Sequence, residues 1–336
     1  MKSDRAVPTI LALAAAIFFT FAGLTTAKAE VLNLKFAHFG EETHPSNLAA
    51  KQFAAKVLER TNGQVKITIY PNNVLGSPNE QAEQVRLGAI DIALCTQGQL
   101  DKYVKAFSVV MLPFIYDDYD HVHRVLDGPS RDWFNPLAEK EGFVMLSNWE
   151  WGFRNMTNNV RPVLKPEDAK GLKIRTPPEI QLQVTMEAMG AIVTKIAFPE
   201  VYMALAQKVV DGQENPVAVI YHNKFYEVQK HMSLTRHIYN NMIQEVSKKT
   251  WAKLTPEQQT IFREESKSAG DYMRKLIMSQ EESDLAKMEK DGMKIARPNL
   301  APFRAAMGPA YEKIGKYSGE ENVKRFMKYV EDARKK

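Results

Sequence analysis

Apolar positions along this chain follow three patterns. The first is one unbroken run, Val7 to Leu24, preceded by Lys2 and Arg5 and followed by Ala27-Lys28-Ala29. A basic start, a short apolar stretch and small residues at −3 and −1 predict a secretory signal cut between Ala29 and Glu30. A membrane anchor is the alternative, since the run approaches the ~20 residues that a spanning helix needs. No later segment is apolar enough over that length.

The second pattern has period two or is β-branched, and it predicts strands. Val31–Ala37, Val65–Tyr70, Ile90–Leu94, Gly171–Thr176 and Ala191–Thr194 read this way. The third has helical spacing. A helix over Ser46–Arg60 should bury Leu48, Phe53, Val57 and Leu58, with Asn62-Gly63 ending it. Ser77-Pro78-Asn79-Glu80 is a capping box with proline in the first turn, and Gly88 stops the helix that it opens. Thr255-Pro256-Glu257-Gln258 opens another, which runs to Asp291-Gly292 with Phe262, Ala269, Met273, Leu276, Ile277, Leu285 and Met288 on one side. Unbroken, it is ~54 Å long, so it should brace two lobes or kink. Strand–helix–strand units of this kind predict α/β lobes with largely parallel sheets.

Composition adds the compartment and removes several chemistries. The 307 residues after position 29 exceed what one core usually holds, so two lobes are expected. Removing the leader deletes Lys2, Arg5, Lys28 and Asp4, leaving 42 basic against 39 acidic residues. That balance, without basic clusters interleaved with aromatics, excludes a nucleic-acid binder. Cys95 is the single cysteine, so no intrachain disulfide forms, and it reads as a buried small hydrophobe. His121-x-His123 has no third ligand at metal spacing and reads as a solvated helix face. Asp117, Asp118 and Asp120 lack the glycine and terminal glutamate of an EF-hand. P-loop, nucleophile-elbow and dinucleotide-fingerprint patterns are absent. No cofactor or metal is expected.

Two α/β lobes in an exported protein point to a ligand between them. Arg175 ends the strand Gly171–Thr176, where ligands of open α/β sheets gather. Its planar fork matches a carboxylate; the alternative is a surface arginine paired with glutamate. In Asn148–Asn155, an extended backbone puts Glu150, Gly152 and Arg154 on one face and Trp149, Trp151 and Phe153 on the other. Glu150 and Arg154 then lie ~13 Å apart, flanking a ligand or pairing elsewhere. Gly212 and Pro216 mark a turn and a helix start, with Asn215 as its cap or a ligand contact. Phe198-Pro199-Glu200 opens a helix, Phe198 serving as core or as a platform for an apolar ligand face.

Several motifs in order are then recognisable: Tyr70-Pro71-Asn72-Asn73, Gly152-Phe153-Arg154, Gly171-Leu172-Lys173-Ile174-Arg175, Phe198-Pro199-Glu200-Val201-Tyr202, Asp211-Gly212-Gln213-Glu214-Asn215-Pro216 and Lys224-Phe225-Tyr226-Glu227-Val228. With these the mature chain resembles the solute-binding proteins of tripartite ATP-independent periplasmic (TRAP) transporters, in the dicarboxylate/sialic-acid-binding branch. The resemblance implies a two-lobed α/β periplasmic-binding-protein fold, each lobe a mixed sheet flanked by helices, with long helices bracing both. It divides the chain into a leader, 1–29, one lobe from 30–152 plus 241–280, and another from 153–240 plus 281–336. It implies a monomer that closes on an organic acid and delivers it to membrane permease subunits. The family's carboxylate-binding arginine falls on Arg175, its second cleft arginine on Arg154, its aromatic wall on Phe198 and its cleft asparagine on Asn215. Sialic-acid binders carry an asparagine after the first strand and a glutamate after the third. Phe39 and Thr96 occupy those places here, which argues against sialic acid. His38, Gln97, His44 and Glu41 are further candidates for polar contacts.

Charge counting narrows the ligand. Two arginines and a cleft-facing Glu150 balance one negative charge, because unpaired buried charge is costly. An ionised glutamate only accepts hydrogen bonds and so selects hydroxyl donors. The expectation is a uronic or aldonic sugar acid, with a C4-dicarboxylate preferred if Glu150 points away. An exported sugar-acid-processing enzyme, with Glu150 in a carboxylate pair, and a ligand-presenting sensor are the alternatives from other classes.

Overall fold

The computed structural model describes residues 30–335; the predicted leader, 1–29, lies outside them. Residues from Val31 onward form one compact unit. Nine strands occur among the described residues: β1 (Leu32–Ala37), β2 (Val65–Tyr70), β3 (Ile92–Cys95), β4 (Phe143–Asn158), β5 (Lys173–Thr176), β6 (Ile192–Lys195), β7 (Gly212–Pro216), β8 (His231–Ser247) and β9 (Lys294–Ala296). They form one mixed sheet in the order β2-β1-β3-β8-β4-β7-β5-β6, with β9 beside β8.

Two long strands organise this sheet. β4 and β8 run antiparallel from Phe143↔Ser247 to Asn158↔His231. At one end β8 carries β3 through Ile92↔Val246 to Cys95↔Ile243, and beyond it the parallel pair β1 and β2. At the other end β4 carries β7 through Arg154↔Pro216 to Asn158↔Gly212, and beyond it parallel β5 and β6. The result is two half-sheets joined by the two continuous strands. Two separate apolar clusters lie against the sheet, one including Phe107, Phe134, Ile174 and Phe326, the other Phe36, Phe53, Trp149 and Phe262.

The local signals explain most boundaries. Ser77 and Glu80 make the expected capping box on the helix Pro78–Leu87, and Gly88 ends it at φ +82°. Thr255 and Gln258 cap one 35-residue helix, Pro256–Lys290, which ends at Asp291 without a break. That helix packs on the helix Pro45–Arg60, on β4, on the helix Val217–His222 and on β9, and so touches elements attached to both half-sheets.

Some local expectations are corrected. Leu48 and Leu58 are 39% and 40% exposed, because the helix Pro45–Arg60 buries Ala49, Ala50, Phe53 and Val57 instead. Gly212–Pro216 is a strand, not a turn, and Asn215 caps nothing: the helix begins at Val217 behind Pro216. The histidine pair is not a solvated face. His121 is buried with Nε2 2.9 Å from the Val330 carbonyl, and His123 Nε2 lies 2.9 Å from Glu150 Oε2. The flanking aspartates make the segment look like surface, but the C-terminal helix Glu320–Arg334, distant in sequence, covers it.

The strict alternation expected for Glu150–Arg154 also fails. The β4–β8 register shifts between Glu150↔Asn241 and Gly152↔Asn240, a bulge at which Gly152 adopts φ +115°. A second irregularity, between Arg154↔Ile238 and Met156↔Ser233, loops out residues 234–237 of β8, with Arg236 at φ +42°. Bulges re-aim side chains, and here one separates Glu150 from Arg154. A Cβ at Gly152 would sit 3.2 Å from Pro216 Cβ and 3.4 Å from the Tyr119 hydroxyl. Gly152→Ala should therefore lower unfolding free energy by about 1–3 kcal/mol, measured by urea denaturation; an unchanged midpoint contradicts this account of the bulge.

Candidate functional site

A cavity of about 130 Å³ lies between the half-sheets, roughly ten times the ~10–15 Å³ that one water requires. Its walls come from the carboxyl ends of parallel strands and from the two joining strands. Phe39 follows β1, Thr96 and Gln99 follow β3, Arg175 and Pro177–Glu179 end and follow β5, and Ile196–Phe198 follow β6. β4 contributes Trp151 and Arg154, β7 Asn215 and β8 Asn240. This is where open α/β sheets place ligands.

The two arginines differ in what already holds them. Arg154 grips Glu214 as a two-toothed fork: Nε donates to Oε2 at 2.5 Å and Nη2 to Oε1 at 2.8 Å. Two of its three remaining N–H groups reach the Glu214 carbonyl and Asn240 Oδ1, each at 2.7 Å. Burial favours a neutral Glu214, but Arg154 and the hydrogen bonds of His237 and Arg154 outweigh it and hold the carboxyl below its ordinary value. His237 Nε2 lies 3.1 Å from Glu214 Oε2 and its Nδ1 2.8 Å from Thr235 Oγ1. A carboxylate only accepts, so Nε2 donates to Glu214 and the Thr235 hydroxyl donates to Nδ1. Burial keeps that imidazole neutral. Arg154 and Glu214 thus cancel.

Arg175 has no such counter-ion. It is 1% exposed; Nε donates to the Ile196 carbonyl at 2.9 Å, and Nη2 has no partner among the described residues. Its guanidinium carbon sits 5.9 Å from the centre of the Phe198 ring. Burial pushes its pKa down to about 9, so it stays protonated at neutral pH. A buried cation with a free donor edge is costly, and an anion in the cavity relieves that cost.

Glu179 is the functional candidate that the sequence reading missed. It follows β5, precedes the helix Ile180–Ala188 and lines the cavity, its Oε2 accepting from Thr96 Oγ1 at 3.0 Å across the two half-sheets. Burial, with Asp101 and Glu214 nearby, raises its pKa to about 7 against the lowering influence of Arg154 and the Thr96 hydrogen bond. The signal available in sequence was Pro177-Pro178-Glu179, an acid right after the strand that ends in Arg175.

Of the residues singled out in sequence, Arg175, Arg154, Asn215, Phe198 and Thr96 line the cavity together. Asn215 is tied by its amide to Gln213, whose own amide reaches Thr157 Oγ1 at 2.9 Å. Five others sit outside the lining, and Glu41 lies instead beside Asn72, Tyr202 and His222. Glu150 turns the other way at the bulge, to His123. His38 Nε2 lies 3.3 Å from Asn47 Oδ1. His44 caps the helix Pro45–Arg60, its Nδ1 accepting from Ser46 N at 3.1 Å, and packs on Trp151. Gln97 Oε1 accepts from Asn241 Nδ2 at 2.7 Å. Among the described residues no cluster of His, Cys, Asp and Glu could hold a metal, and no helix is long and apolar enough to cross a membrane.

Residues 36–317 match the family model of bacterial extracellular solute-binding protein family 7. The chain belongs to that family, the solute-binding proteins of TRAP transporters. Its members are periplasmic binding proteins, not enzymes. The sialic acid-binding periplasmic protein of Vibrio cholerae is 33% identical over 278 residues, 82% of this chain and 86% of that one. A TRAP solute-binding protein of Polaromonas bound to D-erythronate is 33% identical, with a TM-score of 0.85 covering 88% of this chain and 98% of that one. Another from Sulfitobacter, with bound β-D-galacturonate, is 30% identical at a TM-score of 0.86, covering 89% and 99%. A third from Sulfurospirillum deleyianum, with bound succinate, is 32% identical at 0.83, covering 88% and 98%. This TRAP-family chain shares their α/β architecture across nearly its whole described length.

Two expectations follow from the charges. Glu214→Gln leaves Arg154 buried without its counter-ion, and should cost roughly 3–5 kcal/mol of stability, read by denaturant unfolding at neutral pH. A loss below a tenth of that contradicts the pairing. For Glu179, the folded state keeps a proton above the ordinary value of 4.5 that the unfolded chain releases. Its contribution to stability is full below that value and is lost as pH rises through about 7. Glu179→Gln should therefore gain stability relative to wild type between about pH 5 and about pH 8, and parallel pH curves contradict it.

Proposed function

We propose that this chain is the periplasmic receptor of a TRAP transporter for a hydroxylated monocarboxylate, a uronic or aldonic sugar acid. The observation that carries this reading is the free donor edge of Arg175, buried in a cavity whose other arginine is already neutralised. Two parallel hydrogen bonds from a guanidinium to a carboxylate contribute about 1.5–3 kcal/mol each. Glu150, facing away, supplies no charge to the cavity, so the ligand's charge is set otherwise. With Arg154 and Glu214 cancelling, Arg175 contributes one positive charge and Glu179 between none and one negative. One carboxylate balances that arrangement when Glu179 keeps its proton; Lys195, also in the lining, is exposed to solvent and its charge is screened there. Relatives of this fold with D-erythronate and β-D-galacturonate support the same ligand class.

A C4-dicarboxylate is the second reading, favoured by the turned-away Glu150 and by the succinate-bound relative. In it a protonated Glu179 faces the second acid group.

Export follows cleavage after Ala29, and capture follows closure of the two halves, 30–152 with 241–280 and 153–240 with 281–336. A ligand touching both halves biases that equilibrium. Thr96 to Glu179, and Gln181 Nε2 to Asp101 Oδ2 at 2.8 Å, are bonds that span the halves. The loaded monomer then presents the acid to the membrane permease subunits.

A thermal-shift screen of sugar acids, dicarboxylates, keto acids and amino acids tests the reading. Sugar acids should give the largest stabilisation. Arg175→Ala should abolish it, and Arg175→Lys should largely fail to restore it, because an ammonium lacks the fork. Wild-type-like stabilisation in either variant, or a response to amino acids alone, contradicts the assignment.

A further inference from the structure

Glu179 places its carboxyl where the local helix does not use it. It sits at the N-terminal cap of the helix Ile180–Ala188, yet its side chain makes no capping hydrogen bond. The carboxylate instead projects across the cavity to Thr96 on the opposite half-sheet. Room for it comes from Gly98, where a Cβ would lie 2.1 Å from Glu179 Oε2. Oε1 accepts no hydrogen bond among the described residues, while Oε2 is anchored. Thr96 is itself fixed as the cap of the short helix Gln97–Leu100, with Gln99 N donating to its hydroxyl at 3.2 Å. The acid is therefore held at one oxygen, on a residue that lines the cavity.

We propose that Glu179 is the selectivity residue of this receptor: it reads a hydroxyl of the bound acid from the same wall as Arg175, and its bond to Thr96 couples that reading to closure. This rests on the organic-acid reading above and names the group that divides hydroxy acids from dicarboxylates.

The chemistry discriminates in a defined way. A ligand hydroxyl both donates and accepts, so it fits Glu179 in either protonation state. A second ligand carboxylate only accepts, and fits the protonated state alone. The charged and titratable groups around Glu179 are Arg154 and Glu214 from β4 and β7, Arg175 from β5, Lys195 from β6, the buried Cys95 of β3, whose thiol pKa burial pushes well up, and Asp101 after the helix Gln97–Leu100. Asp101 is held by Gln181 and, at 3.1 Å, by the Tyr317 hydroxyl, and burial raises its own pKa to about 6. Asp101 titrates in a neighbouring range but lies outside the cavity lining, so Glu179 is the lining acid that changes its proton with the ligand. Succinate affinity should fall as pH rises past about 7, whereas sugar-acid affinity should stay nearly level.

The test is calorimetric titration of the mature chain with D-galacturonate, D-erythronate and succinate at about pH 6 and about pH 8.5, in wild type, Glu179→Gln and Thr96→Val. Glu179→Gln, a neutral side chain that still donates and accepts, should keep the hydroxy acids within about 2-fold, strengthen succinate roughly 5- to 10-fold at the higher pH and erase its pH dependence. Thr96→Val, which leaves the acid in place and removes its anchor, should shift the order the same way by a smaller factor. Circular dichroism confirms that both variants fold. Wild type that binds an acid through Arg175, with the same order of preference and pH profile in Glu179→Gln, overturns the role of Glu179 and leaves the receptor reading standing. Wild type that binds none of the three acids overturns both.

Discussion

The structure turns on a buried positive charge that the protein does not neutralise by itself. Two guanidiniums line one cavity, and only one has a carboxylate of its own. Arg154 is locked to Glu214 through a fork, backed by Asn240 and His237. Arg175 is buried as deeply but meets a carbonyl and an aromatic face. Breaking a buried ion pair is strongly unfavourable, and the proposed function draws the ligand anion to the unpaired arginine for that reason. The paired one supplies shape and hydrogen-bond geometry instead of net charge.

The scaffold makes this difference possible through irregular backbone. β4 and β8 run through both half-sheets, and their register slips where they pass the cavity. The bulge at Gly152 lets Trp151 and Arg154 share the cavity wall while Glu150 leaves it for His123. The loop-out of 234–237 brings His237 under Glu214. Residues at these slips are the ones whose faces period-two counting gets wrong. The same two strands are the continuous covalent connection between the half-sheets, so the segment that shapes the cavity wall is also the one that joins them.

How far the sequence could be read follows from which interactions are local. Capping boxes at Ser77 and Thr255, the stop at Gly88 and the 35-residue helix were legible because each depends on residues within one or two turns. Arg175 was legible because strand ends are where α/β ligands collect. Phe198, Asn215 and Arg154 came with the family motifs, and the cavity does gather them. What failed needed distant partners. His121 is covered by a helix about two hundred residues away, and Glu150 leaves its expected face because of a single-residue bulge. Glu179 went unnoticed because Thr96, which gives it meaning, is 83 residues earlier in the chain.

The direct measurement is a crystal structure of the mature protein with its captured acid in the cavity. The ligand's carboxylate should lie within about 3 Å of the Arg175 guanidinium in two parallel hydrogen bonds, with Arg154 still bound to Glu214. An acid group seated on Arg154, or anywhere else with the Arg175 edge unoccupied, contradicts the account.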